Sequence, residues 1–173
     1  MDPDQLLAAV TARTPVDERE RFSIELFERW VPALGRPYDE DADPVHVTSS
    51  AIVAGPRGTV LHLHKRLGLW LQPGGHIEPG ETPADGARRE AEEETGLAVR
   101  HPEGGPRLVH VDVHPGPKGH THLDVRFLLE ADDADPVPQG DESPDVRWFT
   151  WDEAIAVADA GLAGALRHLR PPG

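Results

Sequence analysis

The sequence predicts a mixed α/β domain preceded by a helical extension. Three observations carry this. Apolar residues recur at helical spacing up to Leu34, alternation of period two takes over from Val45, and one segment among the strands, 83–95, is bounded by helix start and stop signals.

Residues 1–40 read as the extension and 45–173 as the domain. Thr14-Pro15 reads as a helix start, hydroxyl cap then proline at the first helical position. Phe22, Leu26, Trp30 and Leu34 follow at helical spacing. Left bare, that stripe would be an exposed apolar patch, so either the domain or a second copy of the chain, as a homodimer, is expected to cover it. GRPYDEDADP, 35–44, reads as a linker. VHVTSSAIVAG and TVLHLHKR, joined by PRG, read as two strands with a tight connection, and LWLQP as a short strand running into Gly74-Gly75. RLVHVDVH and THLDVRFLLE alternate around PGPKG, and VRWF is a last strand after a proline-rich loop. Thr150 with Glu153 makes a capping box for a helix over 151–159, and a second short helix is expected over 162–169.

Seventeen basic residues face 31 acidic ones, a formal charge of −14, and the only lysines are Lys65 and Lys118. Such a surface repels nucleic acid and anionic lipid, so neither is expected as a partner. An anionic substrate would need metal ions or placed arginines. There is no cysteine, which excludes a disulfide framework, a thiolate zinc site and a cysteine nucleophile. No apolar run approaches the ~20 residues of a membrane span, and MDPDQLLAAV lacks a signal-peptide layout; a cytoplasmic location is expected.

The segment GGHIEPGETPADGARREAEEETGL, 74–97, is dense in carboxylates. Thr82 is placed as N-cap, Pro83 at the first helical position, Asp85 in the first turn and Gly96 as the stop. Ala84, Ala87 and Ala91 share one face of this helix, small enough to sit close on a sheet. Glu90, Glu93 and Glu94, at i, i+3 and i+4, share another. Like charges so arranged repel. A solvated charge run is the ordinary explanation of such a pattern; convergence of carboxylates also suits hard cations such as Mg²⁺ or Mn²⁺.

The spacing decides for the second. Gly75, Glu81, Arg89, Glu90, Ala91, Glu93, Glu94, Gly96 and Leu97 stand in the register of the Nudix hydrolase motif, which this segment resembles; Ala91 is smaller than the aliphatic residue more usual there. The resemblance extends loosely over 45–160 and implies a Nudix-type α/β/α sandwich with a mixed sheet. It further implies a divalent-metal-dependent hydrolase that cleaves a diphosphate bond in a nucleoside diphosphate linked to another moiety. Carried over, Glu90, Glu93 and Glu94 are ligands of Mg²⁺ (or Mn²⁺), with the carbonyl of Gly74 or Gly75 as a further ligand. Glu81 and Arg89 orient loop and helix by an ion pair. The general base varies in the family between a helix glutamate and one on a later loop, for which Glu142 in GDESP is the candidate here; one more exposed acid in a polar loop is the equal alternative.

A second cluster is HVDVHPGPKGHTHLD. If PGPKG closes a hairpin, His114 opposes His120, Asp112 opposes His122 and His110 opposes Asp124, all six on one side, with Val109, Val111, Val113, Leu123 and Val125 on the other. These histidines, titrating near pH 6–7 when unperturbed, could contact phosphate or base edges; equally, they could be a solvated face of self-satisfying His–Asp pairs. A zinc site there needs a tetrahedral closure that a flat strand face does not obviously give. His62 and His64 could extend this wall. Lys65, Arg66 and Arg126 are candidate phosphate cations. An isoprenoid diphosphate isomerase on the same fold would need a cysteine, and a non-catalytic sensor would be expected to carry a DNA-binding module and often a degraded motif. The substrate is expected to be a small-molecule diphosphate, with nucleoside triphosphates, ADP-ribose-like diphosphates, dinucleoside polyphosphates and nucleotide sugars all open.

Overall fold

In a computed structural model of the chain, which describes residues 1–138 and 145–172, helix gives way to sheet where the sequence period changes, at Val45. The helices α1 (Pro3–Thr11) and α2 (Glu18–Trp30) come first. Strands β1 (Val45–Gly55), β2 (Gly58–Leu63), β3 (Trp70–Leu71) and β4 (Gly74–His76) lead into α3 (Pro83–Thr95). Then come β5 (Val99–Arg100), β6 (Arg107–Pro115), β7 (Thr121–Ala131), β8 (Val146–Phe149), α4 (Trp151–Val157) and α5 (Ala160–Leu169). The eight strands form one mixed sheet. β1 and β7 pair in parallel from Val45↔Thr121 to Ala54↔Glu130. β1 meets β4 at Thr48–Ser50 but β2 only at Ala54 and Gly55, so the sheet divides between β2 and β4.

Side chains alternate across this sheet into two cores, the expected α/β/α sandwich. Val47, Ala51, Val53, Val111, Leu123, Val125 and Phe127 pack with Leu6 and Val10 of α1, Ile24 and Phe27 of α2, and Ala84, Ala87 and Ala91 of α3. Ile52, Leu61 and Phe149 pack on the other side with Ala154, Leu162 and Leu166 of α4 and α5.

α3 begins and ends where its capping residues predict: Thr82 accepts from the Asp85 N–H, and Gly96 stops the helix at φ 67°. Thr150 and Glu153 form the capping box of α4. The N-terminal start differs from expectation. Asp17, not Thr14, caps α2 by accepting from the Glu20 N–H, and a separate α1 precedes it with its own capping box, Asp2–Gln5. The buried face also differs: Ile24, Phe27 and Val31 are buried, while Phe22 and Trp30 are 57% and 39% exposed. Segment 35–44 is more than a linker, since Tyr38 packs on the core and the Val47 N–H donates to the Pro37 carbonyl at 2.7 Å.

β6 pairs only with β7 among the described residues, so its outer edge needs other partners. The N-terminal segment supplies them. Arg13 donates to the carbonyls of Leu108 and Val109 at 2.9 and 2.6 Å, the Val111 N–H donates to Glu20 at 3.0 Å, and the Val113 N–H to Ser23 Oγ at 3.1 Å.

The β6–β7 hairpin has a different register from the expected one. Its pairs are His114↔His122, Asp112↔Asp124 and His110↔Arg126. The turn is the cause: Gly116 donates to the His120 carbonyl, which takes His120 out of the ladder and leaves Pro115↔Thr121 as the last pair. A shift of two keeps the same residues on one face. A bulge between Leu108 and His110 turns Val109 away from Val111 and into the core beside Leu162. Nor is the polar face solvated: His110, Asp112, Asp124 and Arg126 are all buried.

Candidate active site

Where β2 leaves β1, a cleft of about 730 Å³ opens. Thr48 and Ser50 of β1, Gly74–His76, Glu94, and Asp112, His114, His122, Asp124 and Arg126 of the hairpin line it, with His62, His64, Arg66 and Lys118 among the other lining residues.

One wall is the motif. Arg89 donates to Glu81 at 2.9 Å, Glu90 at 2.9 Å, Glu93 at 3.1 Å and the His76 carbonyl at 2.9 Å. One guanidinium thus gathers three carboxylates and ties α3 to the loop before it through the Glu81–Arg89 ion pair that the resemblance implies. The Glu90 carboxylate lies against the Gly75 backbone, where any Cβ would come within 2.5 Å of it. Burial raises the Glu90 pKa, and Arg89 offsets this only in part. Glu94 accepts from the Gly74 N–H at 3.0 Å and lies 3.5 Å from His62 Nδ1. Of the three glutamates only Glu94 lines the cleft. Glu90, with Glu81 and Arg89, lines a neighbouring hollow against segment 35–41, and Glu93 is 53% exposed. The donors near Gly74–Gly75 are carboxylate and carbonyl oxygens, crowded and short of positive charge, so this set fits a hard divalent cation such as Mg²⁺.

The other wall is a knit polar network. Arg126 donates to Asp124 at 3.1 Å and Asp112 at 3.3 Å; Arg19 reaches Asp112 at 2.8 Å; Thr48 and Ser50 donate to Asp124 at 3.2 and 2.8 Å. Despite burial, His114, Arg126 and Arg19 hold the Asp112 carboxyl well below the usual range. The Arg126 guanidinium is therefore occupied inside the wall. His110 lies beneath the cleft surface, and Lys65 and His120 are not among the residues that line it. Burial pushes His122 down to about 3 and His62 down to about 4, so neither titrates near pH 6–7. Glu142 lies outside the described residues.

Thr48, Ser50, His46 and His76 escaped the sequence reading. Polar residues at alternate positions of an otherwise apolar strand were the signal: 46, 48 and 50 fall opposite 122, 124 and 126 in the parallel ladder.

A model of the NUDIX domain matches residues 44–169. The chain belongs to the Nudix family. Curated relatives include the "NAD-capped RNA hydrolase NUDT12" of Macaca fascicularis, 34% identical over 69% of this chain. The match covers 24% of that relative, so the chain spans about a quarter of its length. The "MutT-like protein" of Streptomyces ambofaciens is 32% identical over 79% of this chain and 90% of its own. A Nudix family hydrolase from Clostridium perfringens has a similar solved structure, with a TM-score of 0.59, 27% identity, and coverage of 72% of this chain and 98% of that one. Nudix proteins generally use divalent metals. No helix of the described residues is long and apolar enough to cross a membrane.

Proposed function

We propose that this chain is a divalent-metal-dependent hydrolase of a diphosphate bond in a nucleoside diphosphate linked to another moiety. The observation that carries the reading is the set of carboxylates around Gly74–Gly75: Glu81, Glu90 and Glu93 gathered by Arg89, and Glu94 lining a cleft large enough for a nucleotide. Glu90, Glu93, Glu94 and a carbonyl of Gly74 or Gly75 would hold Mg²⁺ or Mn²⁺. Such an ion, when bound, offsets diphosphate charge and acidifies water.

The chain's own residues do the rest. Arg89 and Glu81 fix the helix face against the loop. The Gly74 N–H holds one Glu94 oxygen, and neutral His62 stands 3.5 Å from the other, which sets the carboxylate's orientation at the cleft. A glutamate of α3, or Glu142, takes the water's proton as general base. Arg66, Lys118, His64 and His114 line the cleft and are placed to meet phosphate oxygens in an otherwise acidic protein. Among the relatives, a Caenorhabditis elegans "Bis(5'-nucleosyl)-tetraphosphatase [asymmetrical]", 28% identical over 56% of this chain, favours a dinucleoside polyphosphate substrate as the second reading.

The test is a panel of nucleoside triphosphates, ADP-ribose, dinucleoside polyphosphates, nucleotide sugars and NAD, each with Mg²⁺ or Mn²⁺ and with products identified. Cleavage of at least one compound at its diphosphate, abolished by chelator, is expected. Failure to cleave any of them while folded and metal-supplied would refute the proposal.

A further inference from the structure

The polar wall contains one group of side chains that diphosphate hydrolysis does not use. His46 of β1, His122 of β7 and His76 of β4 converge because three strands set them side by side. His46 pairs with His122 in the parallel ladder, and His76 pairs with Thr48, two residues further along β1. One ring nitrogen from each lies within 4.8 Å of the other two. Ring centroids are 5.2 Å apart for His46–His76, 5.1 Å for His46–His122 and 5.4 Å for His76–His122.

All three Nε2 atoms are buried without a hydrogen-bond partner. A buried polar atom left unmatched is unfavourable, and three in one group of adjoining side chains are exceptional. His46 is fully buried, and its Nδ1 donates to the Asp43 carbonyl at 3.1 Å. That bond leaves its Nε2 as a bare lone pair, the state a ligating imidazole needs; a carbonyl on the far nitrogen is a common way of fixing it. His76 Nε2 lies 3.3 Å from Glu40 without hydrogen-bond geometry.

We propose that His46, His76 and His122 form a second metal site, a three-imidazole site of the zinc class, distinct in ligand chemistry from the carboxylates of α3. Imidazole suits Zn²⁺, Cu²⁺ and Ni²⁺, whereas Mg²⁺ prefers oxygen. Zn–N bonds of about 2.0–2.1 Å require ligand nitrogens roughly 3.3 Å apart, so small ring rotations close the site. His76 and His122 line the cleft, which leaves the fourth position to water or to an anionic group in the cleft. The three imidazoles come from three adjacent strands, β4, β1 and β7, and not from the two-stranded hairpin of the sequence reading. The inference stands whether or not the chain hydrolyses diphosphates.

The test uses untagged, full-length protein stripped of metal by chelator. It is dialysed against micromolar Zn²⁺ with millimolar Mg²⁺ present, and bound metal is counted by mass spectrometry. One Zn²⁺ per chain is expected to survive the Mg²⁺ excess. Affinity should fall at least tenfold in His76→Gln and in His122→Asn, and be kept in Glu93→Gln. Co²⁺ in place of Zn²⁺ should give visible absorption of a low-coordinate, nitrogen-bound ion. Ring-nitrogen NMR of the unaltered protein covers the case in which a variant fails to fold: Zn²⁺ should shift signals of three of the ten histidines. Absence of retained Zn²⁺, equal retention in both histidine variants, loss in Glu93→Gln, or no histidine shift would each overturn the site.

Discussion

Helices α2 and α3 are both thirteen residues long, both carboxylate-rich, and both packed into the same core of the sheet, yet they treat their acids in opposite ways. In α2 the fully buried Glu20 accepts from Arg13 at 2.9 Å, from the Val16 N–H at 2.7 Å and from the Val111 N–H at 3.0 Å. It is spread over three donors and ties the extension to the edge of β6. Around α3 the relation is inverted: Glu90 and Glu93 of the helix and Glu81 of the loop before it share the single guanidinium of Arg89. A structural acid has more donors than it needs. Around Glu90 one guanidinium serves several acids, and burial raises the Glu90 pKa, a direction that a bound cation would reverse on the proposed function. On the proposed function, the two helices separate a carboxylate that holds the protein together from carboxylates that would work.

The largest break of this comparison is deletion of residues 1–40. It removes Leu6, Val10, Ile24, Phe27 and Val31 from the core, each worth about 1.5–3 kcal/mol, and uncaps β6. The sum rivals the roughly 5–15 kcal/mol that a domain has in total. Loss of a cooperative thermal transition is expected; an unchanged melting temperature would show that the extension is an independent appendage. Next is Glu20→Ala, which leaves the Arg13 Nε–H and the Val16 and Val111 amides without the acceptor they share. About 3 kcal/mol of stability should go, read by urea denaturation, with the Mg²⁺ dependence of turnover unmoved.

How much of this contrast was legible in the sequence follows from distance along the chain. α3 was readable because its signals are local: Thr82, Pro83 and Gly96 act within a turn, and the glutamate spacing is its own face. The α2 face was misread because Phe22, Leu26, Trp30 and Leu34 repeat every fourth residue, a spacing that drifts about 40° per step around a helix. Ile24, Phe27 and Val31, with one three-residue step, stay on one side. The status of Glu20 had no local signal, since its decisive partner, Val111, is 91 residues away. The imidazole trio was hidden for the same reason, since the β1–β7 ladder and β4 assemble it. The hairpin register turned on one turn hydrogen bond, Gly116 to His120, that composition does not specify.

A smaller effect sharpens the contrast by pH. His110 is buried beside Arg126, and burial first, then Arg126, pushes it down to about 3. Its folded value lies below the unfolded value of about 6.5, so the unfolded chain binds the proton first. The contribution is complete above about pH 6.5 and is lost as pH falls toward 3, at up to about 1.4 kcal/mol per unit. His110→Asn should flatten the slope of unfolding stability between pH 7 and pH 5; an unchanged slope would mean that His110 is not held neutral.

The central claim, that the glutamates of α3 work rather than hold, is tested most directly by Glu93→Gln and Glu94→Gln on the best substrate of the panel. Turnover is measured at saturating Mg²⁺ beside the melting temperature of each variant. The account predicts a loss of about two to three orders of magnitude in kcat for each, about 2.7–4 kcal/mol. The melting temperature should be unchanged or raised, because a crowded charge is removed. Near wild-type turnover in both variants, or unfolding in place of inactivation, would contradict it.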